Sequence, residues 1–202
     1  MRVLASVVLA SVSPRRYELL TSLGLHVIVR PSGIDEGDRP GYDPLELAAT
    51  HASAKAEAVA RSEQAHVIVA ADTVVDIDGR ALGKPRTHAE ASSMLRALSG
   101  CEHLVHSAYT VIDPGGRRID GSRTTLVLFA ALSDADIATY VASGEPMDKA
   151  GGYGIQGRGA ALVDRIDGDF YTVMGFPLGD FVRRLPEIDY ELPARAPAPV
   201  TS

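Results

Sequence analysis

Tryptophan is absent from the 202 residues, and only 5% of them are aromatic, so any interior must be packed mainly from aliphatic side chains. Cysteine occurs once, at Cys101, which excludes an intramolecular disulfide framework and a cysteine-rich zinc site and fits a reducing compartment. No apolar run approaches the ~20 residues of a membrane span. An excess of positive charge is also lacking: the formal net charge is -6, which argues against a protein that coats nucleic acid. The run after Arg2 is short and β-branched, and reads as a first strand and not as a signal peptide. The 46% of hydrophobic residues is enough for a sizeable core in one domain or two small lobes.

The most telling stretch is Val7-Val8-Leu9-Ala10-Ser11 running into Ser13-Pro14-Arg15-Arg16. Ser13 suits an N-cap and Pro14 the first helical turn. A helix is therefore expected from about Pro14 to Leu23, stopped by Gly24. Its N-terminal N–H groups and dipole favour an anion. Arg15 and Arg16 lie in that first turn, where the dipole disfavours cations. Such a placement is best tolerated when the arginines face a phosphate or carboxylate.

Strands and helices alternate beyond this point. His26 to Val29 reads as a strand. A second helix opens at Asp43-Pro44-Leu45-Glu46 and runs to about Glu63. His66 to Ile77 is a strong β run ending at an Asp78-Gly79 hairpin turn. A third helix spans Thr87 to Gly100. Leu104 to Ile112 and Arg123 to Leu132 read as strands, a fourth helix follows Ser133, and a Gly-rich segment covers Gly151 to Gly159. Leu162 to Ile166 and Phe170 to Met174 read as short strands, and Leu178 to Leu185 as a last helix. The pattern is α/β, with hairpins that argue against an all-parallel sheet. Residues 1–190 are expected to form a single domain, with 191–202 an Ala/Pro-rich disordered tail.

Asp72 sits inside Val67-Ile68-Val69-Ala70-Ala71-Asp72-Thr73-Val74-Val75. An ionised carboxylate in so apolar a strand is costly unless it is paired, metal-bound or turned to a cleft. It is a candidate general base or metal ligand; the plainer alternative is an Asp capping a turn at a strand end. Lys84, between Gly83 and Pro85, can present a point charge to phosphate, although the spacing is not that of a P-loop. Gly152, Gly154 and Gly157 match G-x-G-x-x-G without the strand, helix and acid that dinucleotide binding needs. Gln156 among them can hydrogen-bond a base edge. His51 and Lys55 share a helix face, and His51, His103 and His106 read as structural.

Taken in order, the chain resembles the Maf family of nucleotide pyrophosphatases. The matching pieces are Leu9 to Arg16, Asp35-Glu36, Lys55, Ala71-Asp72-Thr73, Leu82 to Pro85, Leu98-Ser99-Gly100, Gly144 to Gly151, Tyr153 to Gly157 and Gly175-Phe176-Pro177-Leu178. The resemblance implies an elongated mixed-sheet Maf/ITPase-like α/β fold, with two lobes around a central cleft. It implies a cytoplasmic enzyme that cleaves a nucleoside triphosphate between its α and β phosphates with a divalent cation (Mg, Mn or Co), in proteins among which homodimers are common. Asp72 matches the general base. Ser11, Arg15, Arg16, Lys55 and Lys84 match phosphate-contacting positions, and Glu36 together with Asp72 the metal site. Arg15, Thr73 and Gln156 match the branch preferring dTTP and UTP. The alternatives are a 7-methyl-GTP or broad-specificity pyrophosphatase and, in another class, a non-catalytic nucleotide-binding regulator of septum formation. Neither nucleic acid nor membrane is an expected partner.

Overall fold

A computed structural model describes residues 1–34 and 41–194. The elements are β1 (Arg2–Val3), β2 (Ser6–Leu9), α1 (Pro14–Ser22), β3 (His26–Val29), α2 (Pro44–Ala60), β4 (Val67–Ile77), β5 (Arg80–Leu82) and α3 (His88–Leu98). There follow β6 (Glu102–Ile112), β7 (Arg118–Phe129), α4 (Asp134–Ala142), β8 (Val163–Asp167), α5 (Phe170–Met174), α6 (Leu178–Arg184) and β9 (Tyr190–Glu191). Short 3-10 turns fill the Glu145 to Leu162 region.

Seven strands make one mixed sheet. Its order is β3-β2-β4-β6-β7-β8, with β5 also paired to β4. The β2 pairings are parallel and the rest antiparallel. The α/β class and the mixed sheet are thus as the sequence reading has them. The β4–β5 hairpin turns on Asp78 and Gly79, both at positive φ (52° and 76°), the backbone that an Asp-Gly hairpin turn requires.

Caps set the helix starts. The Asp43 carboxylate accepts from the backbone N–H groups of Leu45 and Glu46, and Thr87 Oγ1 from that of Glu90. Ser133 and Asp136 form a reciprocal capping box. Ser13 stands at the start of α1 but makes no side-chain cap; its own N–H donates to Ser11 Oγ at 3.2 Å.

Two expectations fail. Phe170 to Met174 is a helix and not a strand: Asp169 caps it through the Thr172 N–H (2.8 Å), and Gly175 closes it at φ 111°. A short apolar run carries no periodicity that separates the two states, so the flanking cap decides. The strand expected over Arg123 to Leu132 is displaced, and β7 runs Arg118–Phe129. It starts early because Asp113 accepts from the N–H groups of Gly115 and Arg117, making the turn tight. Within the expected tail, Glu191 pairs with Val3 in a two-stranded parallel sheet of β1 and β9. Residues 195–202 of that tail lie outside the described residues.

The apolar interior gathers around the two ends of the long β4 and β6 strands. One cluster joins Leu9, Leu20, Val69, Tyr109, Phe176 and Phe181; another joins Val75, Leu95, Val105, Val127, Phe129 and Tyr153. His103 belongs with the second, its ring edge-on to Phe129 and Tyr153 and its Nε2 2.7 Å from the Tyr153 hydroxyl. Burial pushes its pKa down to about 4, so it is a neutral core histidine at pH 7. His106, buried between Thr124 and Asp76, is likewise structural.

Candidate active site

On one side β4 is paired with β6 from Ile68 to Asp76. On its other side β2 covers only Val67 to Val69, and β5 only Val75 to Ile77. Between those partners, Ala70 to Val74 form an edge that no strand among the described residues covers. Asp72 lies in the middle of this gap. A cavity of about 730 Å³ opens there, lined by the Ser11–Arg16 turn, α2, the Gly83–Arg86 loop, residues 148–150, the Gly-rich segment and Gly175. That volume is in the range of small-molecule sites.

Asp72 is 6% exposed, and both its oxygens are engaged. Lys55 Nζ is 2.7 Å from Oδ1, and His51 Nδ1 is 3.0 Å from Oδ2. Burial alone would raise the Asp72 pKa. The His51 hydrogen bond and the charges of Lys55 and Arg16 outweigh it and hold the carboxyl below its ordinary value. The group is therefore ionised at neutral pH. Lys55 also reaches the Ala71 carbonyl at 3.4 Å, a group on the uncovered edge.

Arg16 is buried and turned into the protein. Its Nε donates to the Gly175 carbonyl (2.9 Å), Nη1 to Ser11 Oγ (3.2 Å) and Nη2 to Thr73 Oγ1 (3.0 Å). The fork ties the start of α1 to β4 and to the end of α5. Thr73 Oγ1 is also within 2.8 Å of Ser107 Oγ. Arg15 reaches across the opening to Asp148, Nη1 to Oδ2 at 3.4 Å. Lys84 and Gln156 are exposed on the lining, on the two loops that the Gly151 N–H joins by donating to the Gly83 carbonyl at 3.0 Å. Gly151 needs its φ of 66°, and a Cβ there would meet Val75 at 2.9 Å. The G-x-G-x-x-G glycines serve loop packing: a Cβ on Gly154 would lie 2.8 Å from Lys149 Cε, and one on Gly157 3.0 Å from Glu145 Oε2.

Every expected site residue that is described lines this one cavity: Ser11, Arg15, Arg16, Lys55, Asp72, Thr73, Lys84 and Gln156. Glu36 lies outside the described residues. Two lining residues from outside the expected site contact its members. Asp148 bridges to Arg15, and His51, read as structural, bonds Asp72. The signal for His51 was its position four residues before Lys55 on one helix face.

Among the described residues Asp72 could supply one ligand to a divalent cation, through the lone pairs its two hydrogen bonds leave over, but no complete ligand set is present. Among them no group of three or more His, Cys, Asp or Glu could hold a metal. The two Asp72 oxygens already accept from His51 and Lys55. No helix among the described residues is long and apolar enough to cross a membrane.

A cationic cleft around the buried, ionised Asp72, set in the edge of a mixed sheet, defines an α/β protein suited to a polyanionic ligand. The sequence profile described as Maf-like protein matches residues 6–188, and the chain belongs to that family. It is 48% identical over 171 residues to a dTTP/UTP pyrophosphatase of Thermus thermophilus, spanning 85% of this chain and 88% of the relative. A protein of the same name from Syntrophomonas wolfei is 46% identical over 171 residues, 84% of this chain and 90% of that one. A third, from Symbiobacterium thermophilum, is 42% identical over 185 residues, 92% and 95% of the two chains. Among solved structures, a HAM1 protein from Coxiella burnetii aligns over 91% of this chain and 99% of its own, with 19% identity and a TM-score of 0.49.

Proposed function

We propose that this protein is a hydrolase of nucleoside triphosphates that converts dTTP and UTP to the monophosphate and pyrophosphate. The names of its relatives support the substrate class. The observation that carries the chemistry is Asp72, ionised and buried in the stretch of β4 that no strand among the described residues covers. Water attacks the α-phosphorus, the bond from that phosphorus to the α–β bridging oxygen breaks, and pyrophosphate leaves. The proton lost by the water passes to Asp72. A carboxylate held below its ordinary pKa is a weak base, so its main work is to orient the water. That suits phosphoryl transfer, where positioning and charge stabilisation dominate.

Arg15 and Lys84 are the proposed phosphate contacts. Arg16 and Lys55 are buried and contribute their charge while shaping the cleft, with Ser11 bonded to Arg16. Gln156 is the proposed reader of the base, because an amide can both donate to and accept from a pyrimidine edge. Thr73, bonded to Arg16 and Ser107, is part of the same lining. The divalent cation enters this reading as a companion of the triphosphate, with Glu36 the acid proposed to meet it. The fold is proposed to act as one two-lobed domain over residues 1–190, in the cytoplasm and as a homodimer.

The test is pyrophosphate release from dTTP, UTP, the other canonical triphosphates and 7-methyl-GTP, with and without divalent metal, for the wild type and Asp72→Asn. Wild-type kcat/KM is expected to be highest for dTTP and UTP. Asp72→Asn is expected to lose about 10²–10⁴-fold in kcat. A folded Asp72→Asn protein of normal activity would sink the role of Asp72, and highest efficiency on 7-methyl-GTP would sink the assignment of the base.

A further inference from the structure

We propose that His51 is a positioning residue for Asp72, fixing the plane of the carboxylate by a second donor opposite Lys55. This rests on the reading of Asp72 as the group that orients water.

The geometry is a clamp. Lys55 Nζ holds Oδ1 at 2.7 Å and His51 Nδ1 holds Oδ2 at 3.0 Å. Both side chains come from α2, one helical turn apart, so one rigid element carries both donors. A single donor leaves the carboxylate able to turn about its Cβ–Cγ bond. Two donors on different oxygens stop that rotation, and the lone pairs left over keep one direction. Lys55 reaches Asp72 on a flexible four-carbon stem, whereas the imidazole is a rigid ring on one carbon. With Asp72 ionised, Nδ1 carries the hydrogen and donates it, which fixes the tautomer.

The cost of keeping an imidazole there argues against simple packing. His51 is 4% exposed, and its Nε2 is buried with no hydrogen-bond partner among the described residues. The same part of α2 packs Leu47, Ala48 and Ala52 against Val74 and Ala108. An apolar side chain would suit these neighbours and would leave no buried nitrogen unbonded. The hydrogen bond His51 does make is to the carboxylate in the gap of β4, and His51 itself lines the cleft.

A residue that acts through Asp72 changes the chemical step more than the grip on phosphates. His51→Leu, His51→Gln and His51→Asn separate the roles. Asn places an amide N–H near the site of Nδ1, and Gln places one near Nε2. Steady-state pyrophosphate release from dTTP should show kcat lower by about 10–100-fold in His51→Leu and His51→Gln, with KM little changed. His51→Asn should recover most of the lost kcat. Wild-type kcat in folded His51→Leu, or His51→Asn no better than His51→Gln, would overturn the inference. Where His51→Leu fails to fold, the Asn and Gln variants decide. Asp72→Asn measured alongside keeps the two readings apart. If Asp72→Asn is active, the reading of Asp72 falls and this inference with it. If Asp72→Asn is inactive while His51→Leu and His51→Gln keep wild-type kcat, the role of His51 alone falls.

Discussion

Replacing Lys55 by Met should turn Asp72 from a stabilising group into a destabilising one. The two side chains are 4% and 9% exposed and 2.7 Å apart. Removing one partner of such a pair leaves a buried charge poorly compensated, and costs about 3–5 kcal/mol. For a chain of this size that is a fall in Tm of roughly 6–20 °C. The loss should depend on pH in a definite sense. In the wild type the Asp72 pKa is below its unfolded value. Its contribution is therefore complete above the unfolded pKa of about 3.9 and is lost only as pH falls through the lower, folded one. Lys55→Met removes two of the influences that lower the pKa and keeps burial, the largest one, so the folded pKa is expected to rise above the unfolded one. The ionised carboxylate then destabilises the variant at neutral pH, and the deficit shrinks as acid protonates it. Urea unfolding at about pH 7 and about pH 5 should show the larger loss at the higher pH. Adding Asp72→Asn to Lys55→Met should recover most of the stability, because both charges of the pair are then gone and neither is left without the other. A loss below about 1 kcal/mol, an equal loss at both pH values, or no recovery in the double variant would refute the reasoning.

Arg16→Ala should lower both Tm and kcat/KM, since the fork to Gly175, Ser11 and Thr73 holds the cleft floor; normal melting with only KM raised would make Arg16 a phosphate contact instead. Gly159→Ala should depress kcat/KM at unchanged secondary structure by circular dichroism. Its Cβ would clash with the Gly154 carbonyl oxygen and lie 2.7 Å from the Tyr140 hydroxyl, so the loop carrying Gln156 must move. Such overpacking costs about 1–3 kcal/mol. Asp113→Ala, far from the cleft, should leave kcat unchanged. It removes the acceptor for the Gly115 and Arg117 N–H groups and for the side chains of Arg2 and Arg117. A loss of about 2 kcal/mol is expected, read as a fall in Tm of roughly 4–8 °C.

Short-range physics is what the sequence by itself determined. The helix starts at Asp43 and Thr87, the helix that follows Ser133 and the Asp78-Gly79 turn are each settled within four residues, and each appears where the pattern put it. A carboxylate inside an apolar β run is legible for the same reason, because its desolvation cost is local and demands a partner. The Ser11–Arg16 motif, Lys84 and Gln156 could be assigned to one site because their order matches a family.

The tertiary structure decided who pairs with whom. Arg16 reads in the sequence as a cation for phosphate, yet its acceptors come from Thr73 and Gly175, 57 and 159 residues away, and turn it inward. His51 reads as a structural histidine because nothing within a few residues shows that Asp72, 21 residues on, will lie 3.0 Å from its ring. The gap in β4 is likewise invisible in the chain. The run from Val67 to Ile77 looks uniform, and only the lengths of β2 and β5 leave Asp72 on an uncovered edge. Local preferences fix elements and caps; which donor meets which acceptor is set by packing, where the cost of burying a charge selects among partners remote in sequence.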